Sequence, residues 1–217
     1  MKPTLYAHPF SSYCQKVLIA LYENDTPFEY RSLEDPYANS ELEALWPLKR
    51  FPVLAENGRT ILEATIIIEY LDLHHAGKVR LIPADAKTAL EVRMMDRVFD
   101  NYVMTPMQKI VGDRLRPEAD RDAYGVSDAR ATLEKSYAWL DARMADREWA
   151  AGETFSLADC AAAPSLFYAD WCHEIDARFM HLRDYRTRLL ARPSYARAVD
   201  EARPFREHFP LGAPDRD

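Results

Sequence analysis

Strand-like and helix-like patterns alternate through about the first 78 residues. Strand patterns, in which apolar and polar positions alternate or a short apolar run is bounded by turn-forming residues, lie at 2–8, 28–33, 51–54 and 60–62. The dipeptide Asn57-Gly58 is a strong β-hairpin signal between the last two. Apolar residues at helical spacing occur at 12–24, 41–45 and 64–75, and Gly77 is the expected C-cap of the third helix. The predicted order of elements is β-α-β-α-β-β-α.

From residue 87 onwards the apolar spacing is helical throughout. A helix predicted at 87–105 carries two adjoining apolar stripes, one formed by Leu90, Met94, Val98 and Tyr102 and the other by Met95, Phe99 and Val103. Such a broad apolar surface predicts a helix that packs on two sides. Pro106 predicts a kink in the continuation of this helix, because its missing N–H frees the carbonyl oxygen of Tyr102.

The change of pattern predicts two domains. We expect an α/β domain at 1–78, a proline-containing linker at 79–86 and an all-helical domain at 87–217. Further helices of the second domain are expected at 127–144, 157–171, 182–191 and 193–202.

Two serines have the sequence context of helix N-caps. Ser156 with Asp159 has the form of a capping box, and so has Ser12 with Gln15. We therefore expect Ser12 to cap the first helix and Ser11 to lie free just outside it. Unpaired N–H groups and the positive end of the helix dipole favour an oxyanion, a phosphate or a thiolate at this position.

Composition and charge exclude several function classes. The chain has 217 residues, 48% of them hydrophobic, and a formal net charge of -7, which argues against a nucleic-acid partner because phosphate recognition needs a concentrated positive surface. No apolar run approaches the roughly 20 residues that span a bilayer. Three cysteines without metal-ligand spacing favour a reducing compartment. We expect a cytoplasmic protein with no membrane contact and no metal.

The motif Ser11-Ser12-Tyr13-Cys14 resembles the first βα unit of glutathione transferases whose active residue is serine. The turn is bacterial-like and somewhat zeta-like, although Tyr13-Cys14-Gln15 depart from the usual residues of the zeta class. The same four positions would hold Cys-x-x-Cys in a thioredoxin-type oxidoreductase, so both comparisons point at Ser11. The resemblance covers nearly the whole chain and implies the glutathione-transferase fold, a thioredoxin-like domain followed by an all-α bundle.

The resemblance implies how this chain binds and activates glutathione. Ser11 is the expected catalytic residue, a hydroxyl that stabilises the glutathione thiolate and does not itself attack; Ser12 is a second candidate for this role. Phe51-Pro52 has the place of the family's cis bond, where the backbone of Phe51 would pair with the cysteinyl portion.

The other end of glutathione is expected at Glu63-Ala64-Thr65. By resemblance, Glu63 takes the γ-glutamyl ammonium, whereas the serine that usually follows it is Ala64 here. The backbone N–H of Ala64 remains as a carboxylate donor, and Thr65 is a partial substitute for the missing hydroxyl. Losing one hydrogen bond to a charged group costs about 1.5–3 kcal/mol.

The expected function is a glutathione transferase that joins the glutathione thiolate to small hydrophobic electrophiles, with detoxification as its role. Phe10, Tyr102 and Met107 are the candidates for the electrophile pocket. Two alternatives stay open: a glutathione-dependent isomerase or dehalogenase, and a non-catalytic binding protein, which Ala64 favours. The resemblance also implies a homodimer. Cys14 is the rival reactive group, because a cysteine in the first turn of a helix can have a lowered pKa.

Overall fold

The strand patterns of the first half form one four-stranded sheet in the computed structural model, which describes residues 2–217. The strands are β1 (Thr4–Ala7), β2 (Glu29–Ser32), β3 (Val53–Glu56) and β4 (Arg59–Ile61). Their spatial order is β2-β1-β3-β4, with β1 parallel to β2 and antiparallel to β3, and β3 antiparallel to β4. Leu54 is paired with Leu5 on one side and Ile61 on the other, and all three side chains are buried.

Three helices complete the predicted β-α-β-α-β-β-α order: α1 (Ser12–Glu23), α2 (Pro36–Leu45) and α3 (Ala64–His74). The second helix is longer than predicted, because the Asp35 carboxylate caps it and Pro36 occupies its first turn. Gly77 is not the C-cap of α3, contrary to prediction. The helix ends at His74, and the cap is His75, two residues earlier, whose N–H donates to the carbonyl of Leu71.

The second half of the chain is helical, as predicted. Its elements are α4 (Ala86–Val98), a π-helical segment (Phe99–Met104), α5 (Thr105–Arg114), α6 (Ala123–Met144), α7 (Leu157–Cys172), α8 (Met180–Leu190) and α9 (Pro193–Ala202), with short 3₁₀ turns at Glu118–Asp120 and Arg203–His208. Every residue of α7 is buried, and this helix packs against both α1 and α4. It is the central helix of the second half.

The π-helical segment explains how the chain accommodates Pro106. The carbonyl of Tyr102, which an unbroken α-helix would pair with the missing N–H of Pro106, accepts a hydrogen bond of 2.9 Å from the Ser136 hydroxyl. The predicted interruption is therefore confirmed. The prediction that this helix packs on two sides is wrong. The stripe of Met95, Phe99 and Val103 is buried, whereas in the other stripe Leu90 is 69% exposed and Tyr102 is 55% exposed.

A buried capping box begins α7. The Asp159 carboxylate accepts from the backbone N–H of Ser156 at 2.9 Å and from its hydroxyl at 3.0 Å. The same carboxylate accepts from the Tyr185 hydroxyl at 2.6 Å and the N–H of Ala150 at 2.8 Å. This network ties the start of the central helix to α8 and to the loop before it.

Replacing Ser156 with alanine should lower the free energy of unfolding by about 0.5–2 kcal/mol, because the helix loses its N-cap and the buried Asp159 loses a donor. Urea unfolding followed by circular dichroism measures the change. Ser40→Ala is the matched control, since Ser40 is an exposed helix serine bonded only to the carbonyl of Pro36. Equal stability of the two variants would contradict a structural role for the box.

Candidate functional site

A cleft of about 900 Å³ lies between the α/β part and the helices α4 and α5. It brings together six of the predicted site residues, namely Ser11, Phe51, Pro52, Glu63, Ala64 and Thr65. They come from the start of α1, the loop before β3 and the start of α3. The first turns of two helices therefore face one cavity.

Ser11, not Ser12, is the N-cap of α1. Its backbone is extended, with φ -85° and ψ 125°, and its hydroxyl oxygen accepts the N–H of Cys14 at 3.4 Å. Ser12 is the first helical residue, is buried and does not line the cleft. The capping box predicted for Ser12 and Gln15 is also absent: the Gln15 amide donates to the carbonyl of Pro9 and to the Tyr168 hydroxyl. Cap and predicted catalytic residue are thus the same side chain.

Among the hydrogen bonds of residues 2–217, the Ser11 hydroxyl is an acceptor and not a donor. It uses a lone pair to accept from Cys14, and a hydroxyl can accept and donate at once. The first intrahelical bond of α1 runs from Gln15 N–H to the Ser11 carbonyl, so the N–H groups of Ser12 and Tyr13 have no partner within the helix. Negative charge next to Ser11 is therefore favoured by a hydroxyl and by the end of the helix.

Cys14 is packed in the core and does not line the cleft. Burial raises the pKa of its thiol to about 12, although the Ser11 side chain and the N–H of His8 act on the thiol in the opposite direction. Its sulfur accepts the N–H of His8 at 3.5 Å. Cys160 and Cys172 are also free and buried. A thiol that is neutral and shielded is a poor nucleophile, so Cys14 lacks the properties of a reactive cysteine.

The loop before β3 forms one wall of the cleft. The Phe51–Pro52 peptide bond is cis, as the resemblance implied. Phe51 is 41% exposed, and the basic residues Lys49 and Arg50 lie directly before it in the lining. The wall thus joins an apolar ring to two positive charges.

The start of α3 forms the opposite wall. Glu63 has φ 68° and ψ 122°, a conformation that costs a non-glycine residue about 1–3 kcal/mol. Its carboxylate makes no capping bond to the helix. The first intrahelical bond is from Ile67 N–H to the Glu63 carbonyl, which leaves the N–H groups of Ala64, Thr65 and Ile66 without intrahelical partners.

The hydroxyl of Thr65 is occupied by other side chains of the protein. It accepts from the Lys16 ammonium at 2.9 Å and from the Arg97 guanidinium, and it donates to Asp96 at 2.9 Å. A hydroxyl has one proton, so Thr65 has none left for a ligand. Partial replacement of the family's serine by Thr65, as the resemblance suggested, finds no support in these contacts.

Thr65 belongs to a buried ionic cluster that joins α1, α3 and α4. The Lys16 ammonium lies 2.5 Å from Asp96 and 2.8 Å from Asp100, and its side chain is 1% exposed. Arg97 lies 2.7 Å from Asp96 and 2.5 Å from Asp100. Burial raises the pKa of Asp100, while the charge of Lys16 acts against that rise. Two positive and two negative charges balance one another in this cluster, of which Arg97 and Asp100 line the cleft.

The three candidates for an electrophile pocket lie elsewhere. Phe10 packs against Tyr168, Trp171 and Phe209, Met107 is buried in the core, and none of Phe10, Tyr102 and Met107 is among the residues that line the cleft. The remaining lining, which sequence reasoning missed, consists of Tyr13, Trp46, Lys49, Arg50, Leu62, Ile66, Glu69, Arg93, Arg97, Asp100, Asn101 and Gln108. For the lining residues on α4, the sequence contained one signal: Arg93 and Arg97 have i, i+4 spacing and therefore lie on the same face of the helix.

The charge of the cleft differs from that of the whole protein. Four basic and three acidic side chains line it, although the chain carries a formal net charge of -7. Burial raises the pKa of Tyr13 to about 12, so its phenol is a proton donor at neutral pH. An anionic ligand therefore meets a locally positive surface with hydroxyl and backbone donors.

The described part of the chain has neither a group of metal ligands nor a membrane-spanning helix. Between residues 2 and 217, no three or more histidine, cysteine, aspartate or glutamate side chains are grouped so that they could hold a metal ion. In the same part of the chain, no helix has the length and apolar character required to cross a bilayer.

Known proteins match the chain along most of its length. Residues 5–79 match the glutathione S-transferase N-terminal domain, and residues 116–188 match the glutathione S-transferase C-terminal domain. Glutathione S-transferase U8 of Arabidopsis thaliana is 30% identical over 161 residues, which are 73% of this chain and 66% of that relative, so the match spans just under two thirds of its length.

Solved structures extend this similarity to nearly the whole chain. A glutathione S-transferase of Methylobacterium radiotolerans, in complex with glutathione sulfonate, is 30% identical with a TM-score of 0.80, covering 92% of this chain and 95% of its own. One from Methylobacillus flagellatus with glutathione bound is 25% identical with a TM-score of 0.83, covering 91% and 98%. The predicted fold is confirmed, and the chain belongs to the glutathione S-transferase family.

Proposed function

We propose that the protein is a glutathione transferase in which Ser11 stabilises the thiolate of glutathione. The observation that carries this proposal is the position of the Ser11 hydroxyl, which caps α1 through a lone pair and keeps its proton for a ligand in the cleft. A free thiol has a pKa of roughly 8.5, so little of it is ionised at neutral pH. Each pKa unit by which the site favours the thiolate corresponds to about 1.4 kcal/mol.

Each end of the tripeptide has suitable partners in the lining. The backbone of Phe51 would pair with the cysteinyl portion, and the unengaged Glu63 carboxylate would take the γ-glutamyl ammonium. The N–H groups at the start of α3 would donate to the adjacent carboxylate. Glutathione has two carboxylates and one ammonium, so its net negative charge suits a cleft with an excess of basic residues.

The reaction would be attack of the thiolate sulfur on an electrophilic carbon, forming a carbon–sulfur bond while the leaving group departs with its electron pair or, in an addition, the neighbouring atom takes up a proton. The protein would contribute mainly by ionising the thiol and holding the acceptor beside it. We propose small hydrophobic electrophiles, with detoxification as the role, because Trp46, Leu62 and Ile66 give the cleft an apolar wall. A glutathione-dependent isomerase or dehalogenase would use the same thiolate.

One observation favours a second candidate, a non-catalytic binding protein of the same fold. Ala64 provides no hydroxyl at the γ-glutamyl end, and the Thr65 hydroxyl is occupied within the ionic cluster. Weak or absent binding of glutathione would support this candidate.

A homodimer is part of the proposal. The exposed apolar side chains Ile66 and Leu73 on α3, with Leu90 and Met94 on α4, form what we call the α3–α4 face; their exposed fractions range from 41% to 77%. A paired Arg93 and Glu69, 2.8 Å apart, join the two helices beside it. Exposed apolar side chains grouped on neighbouring helices are typical of a protein–protein contact.

A cytoplasmic location and a division into two domains are also part of the proposal. Three free, buried cysteines are consistent with a cytoplasmic location. The boundaries 1–78, 79–86 and 87–217 follow the change from sheet to helices, since α3 ends at His74 and α4 begins at Ala86.

Substituting Ser11 tests the proposed activation. In the wild type, the thiol of bound glutathione should ionise at a lower pH than the thiol of free glutathione. The absorbance of the thiolate, recorded as a function of pH, measures this ionisation. Ser11→Gly should abolish most of that shift and lower kcat/KM at neutral pH by about tenfold or more, whereas Ser11→Thr should retain it because a hydroxyl remains. Glycine is chosen because at an N-cap it costs only a few tenths of a kcal/mol, so loss of folding does not confuse the result.

Ser12→Ala is the control for this test, because Ser12 is outside the cleft lining. It should leave the thiol pKa unchanged. A normal shift in Ser11→Gly would remove Ser11 from the mechanism, and no binding of millimolar glutathione by the wild type would overturn the transferase proposal.

A charge on the α3–α4 face should disrupt the dimer. Leu73→Glu places a carboxylate where the side chain is 77% exposed and would be buried against the second copy, so sedimentation should show a shift from dimer to monomer. Leu115→Glu, at a side chain 69% exposed at the end of α5, should leave the sedimentation coefficient unchanged. A dimer that survives Leu73→Glu must use another surface.

A further inference from the structure

The γ-glutamyl end of the proposed site lacks a side-chain hydroxyl that could bind a carboxylate. A carboxylate placed at the start of α3 would find backbone N–H groups there but no side-chain hydroxyl, since residue 64 is alanine and the Thr65 proton goes to Asp96. The backbone supplies at most the three N–H groups of Ala64, Thr65 and Ile66, whereas the two oxygens of a carboxylate offer about four acceptor positions. A further donor in the lining can fill the remaining position.

Arg97 has the properties of that donor. Its guanidinium touches the Thr65 hydroxyl, lines the same cleft as Ala64, and its side chain is 50% exposed. The hydrogen bonds that it makes within residues 2–217 use Nε and Nη2: Nε donates to Asp96 at 2.9 Å, and Nη2 donates to Asp96, Asp100 and Thr65. The Nη1 group takes part in none of these bonds.

The guanidinium is held in place from three elements. Asp96 binds Lys16 through Oδ1 and Arg97 through Oδ2, so the buried lysine of α1 fixes the carboxylate that fixes the arginine. Thr65 adds a contact from α3. A guanidinium held in this way loses little entropy on binding, and its unused Nη1 group can donate a charge-assisted hydrogen bond to a carboxylate oxygen.

Arg93 offers a useful contrast on the same helix. It lines the same cleft one turn earlier, but its Nε and Nη2 form a two-point pair with Glu69, at 2.8 and 3.1 Å. Both arginines are paired with carboxylates, but among the hydrogen bonds of the described residues only Arg97 reaches Thr65 at the start of α3. Position and partners therefore distinguish the two arginines.

We propose that Arg97 is a specificity-determining residue that binds the α-carboxylate of the γ-glutamyl group, in place of the hydroxyl that Ala64 lacks. This inference rests on the proposed function and assigns to α4 a part of peptide recognition that the sequence motif places on α3. The carboxylate lies between the Nη1 group of Arg97 and the first-turn N–H groups of α3, and the ammonium of the same group is left to Glu63.

Two glutathione analogues separate this carboxylate from the others. In γ-aminobutyryl-cysteinyl-glycine the α-carboxylate is replaced by hydrogen, and in glutaryl-cysteinyl-glycine the ammonium is replaced by hydrogen. Calorimetric titration of the full-length wild type should give at least tenfold weaker binding when the carboxylate is missing. Arg97→Met should bind glutathione more weakly than the wild type and should discriminate less against the decarboxylated peptide, because only the N–H groups at the start of α3 remain as donors. It should still detect loss of the ammonium.

Arg93→Met is the matched control, because it removes an arginine from the same helix and the same lining. It should keep the wild-type discrimination against the decarboxylated peptide. Arg97→Lys keeps the charge without the fork and should recover part of the affinity. It also serves if Arg97→Met does not fold, as judged by thermal unfolding, because removal of one charge from the buried cluster is destabilising.

The outcomes distinguish this inference from the proposed function. If the wild type binds glutathione but folded Arg97 variants discriminate as it does, the Arg97 assignment is overturned and the transferase proposal stands. Loss of discrimination in Arg93→Met instead would move the carboxylate to Arg93. If the wild type binds neither glutathione nor the analogues, the proposed function fails, and the Arg97 assignment fails with it.

Discussion

The ion pairs of Lys16 determine how the helices sit against the sheet domain. A buried ammonium must be paired, because an unpaired charge in the interior costs several kcal/mol. Lys16 extends from α1 to Asp96 and Asp100 on the α4 side and is 1% exposed, so α4 must approach α1 closely enough to cover it. The position of α4 fixes in turn which side chains form the second wall of the cleft.

The same contacts have consequences for ligand recognition. They occupy the Thr65 hydroxyl and orient Arg97, so one buried lysine both removes a donor from the cleft and supplies another. The π-helical segment contributes because it carries Asp100, and the chain adopts that geometry before Pro106, where a regular α-helix lacks a donor. A local backbone irregularity and a buried ion cluster are therefore linked through Asp100.

The sequence was sufficient for the fold because the relevant signals are local. Strand alternation, the Asn57-Gly58 hairpin and helical spacing depend on neighbouring residues, and the resemblance supplied the rest. Choosing Ser12 over Ser11 as the cap was an error of one residue, since both serines precede a helix and only the backbone conformation distinguishes them. The prediction that Gly77 caps α3 was wrong by two residues for a similar reason, because His75 is the C-cap.

The second wall of the cleft depends on long-range contacts, which periodicity does not encode. Lys16, Thr65 and Arg97 are far apart in sequence, and a lysine within an apolar helix was the one sign that a buried partner existed. Phe10 and Met107 are apolar residues at positions that could line an electrophile pocket. Phe10 instead packs against the aromatic residue Tyr168 of α7, and Met107 is buried in the core. Apolar character predicts burial, and only packing decides whether the residue faces a core or a cavity.

The two helices that begin at the cleft use their N-caps in opposite ways. At α1 the Ser11 side chain bonds to its own helix, and it can still act on a ligand because a hydroxyl both accepts and donates. At α3 the Glu63 side chain makes no capping bond, although its backbone has a costly positive φ. A carboxylate can only accept when ionised, so capping would engage the group that an ammonium needs. Leaving α3 uncapped therefore keeps Glu63 available, and Arg97 provides the positive charge that a zwitterionic amino-acid group requires beside it.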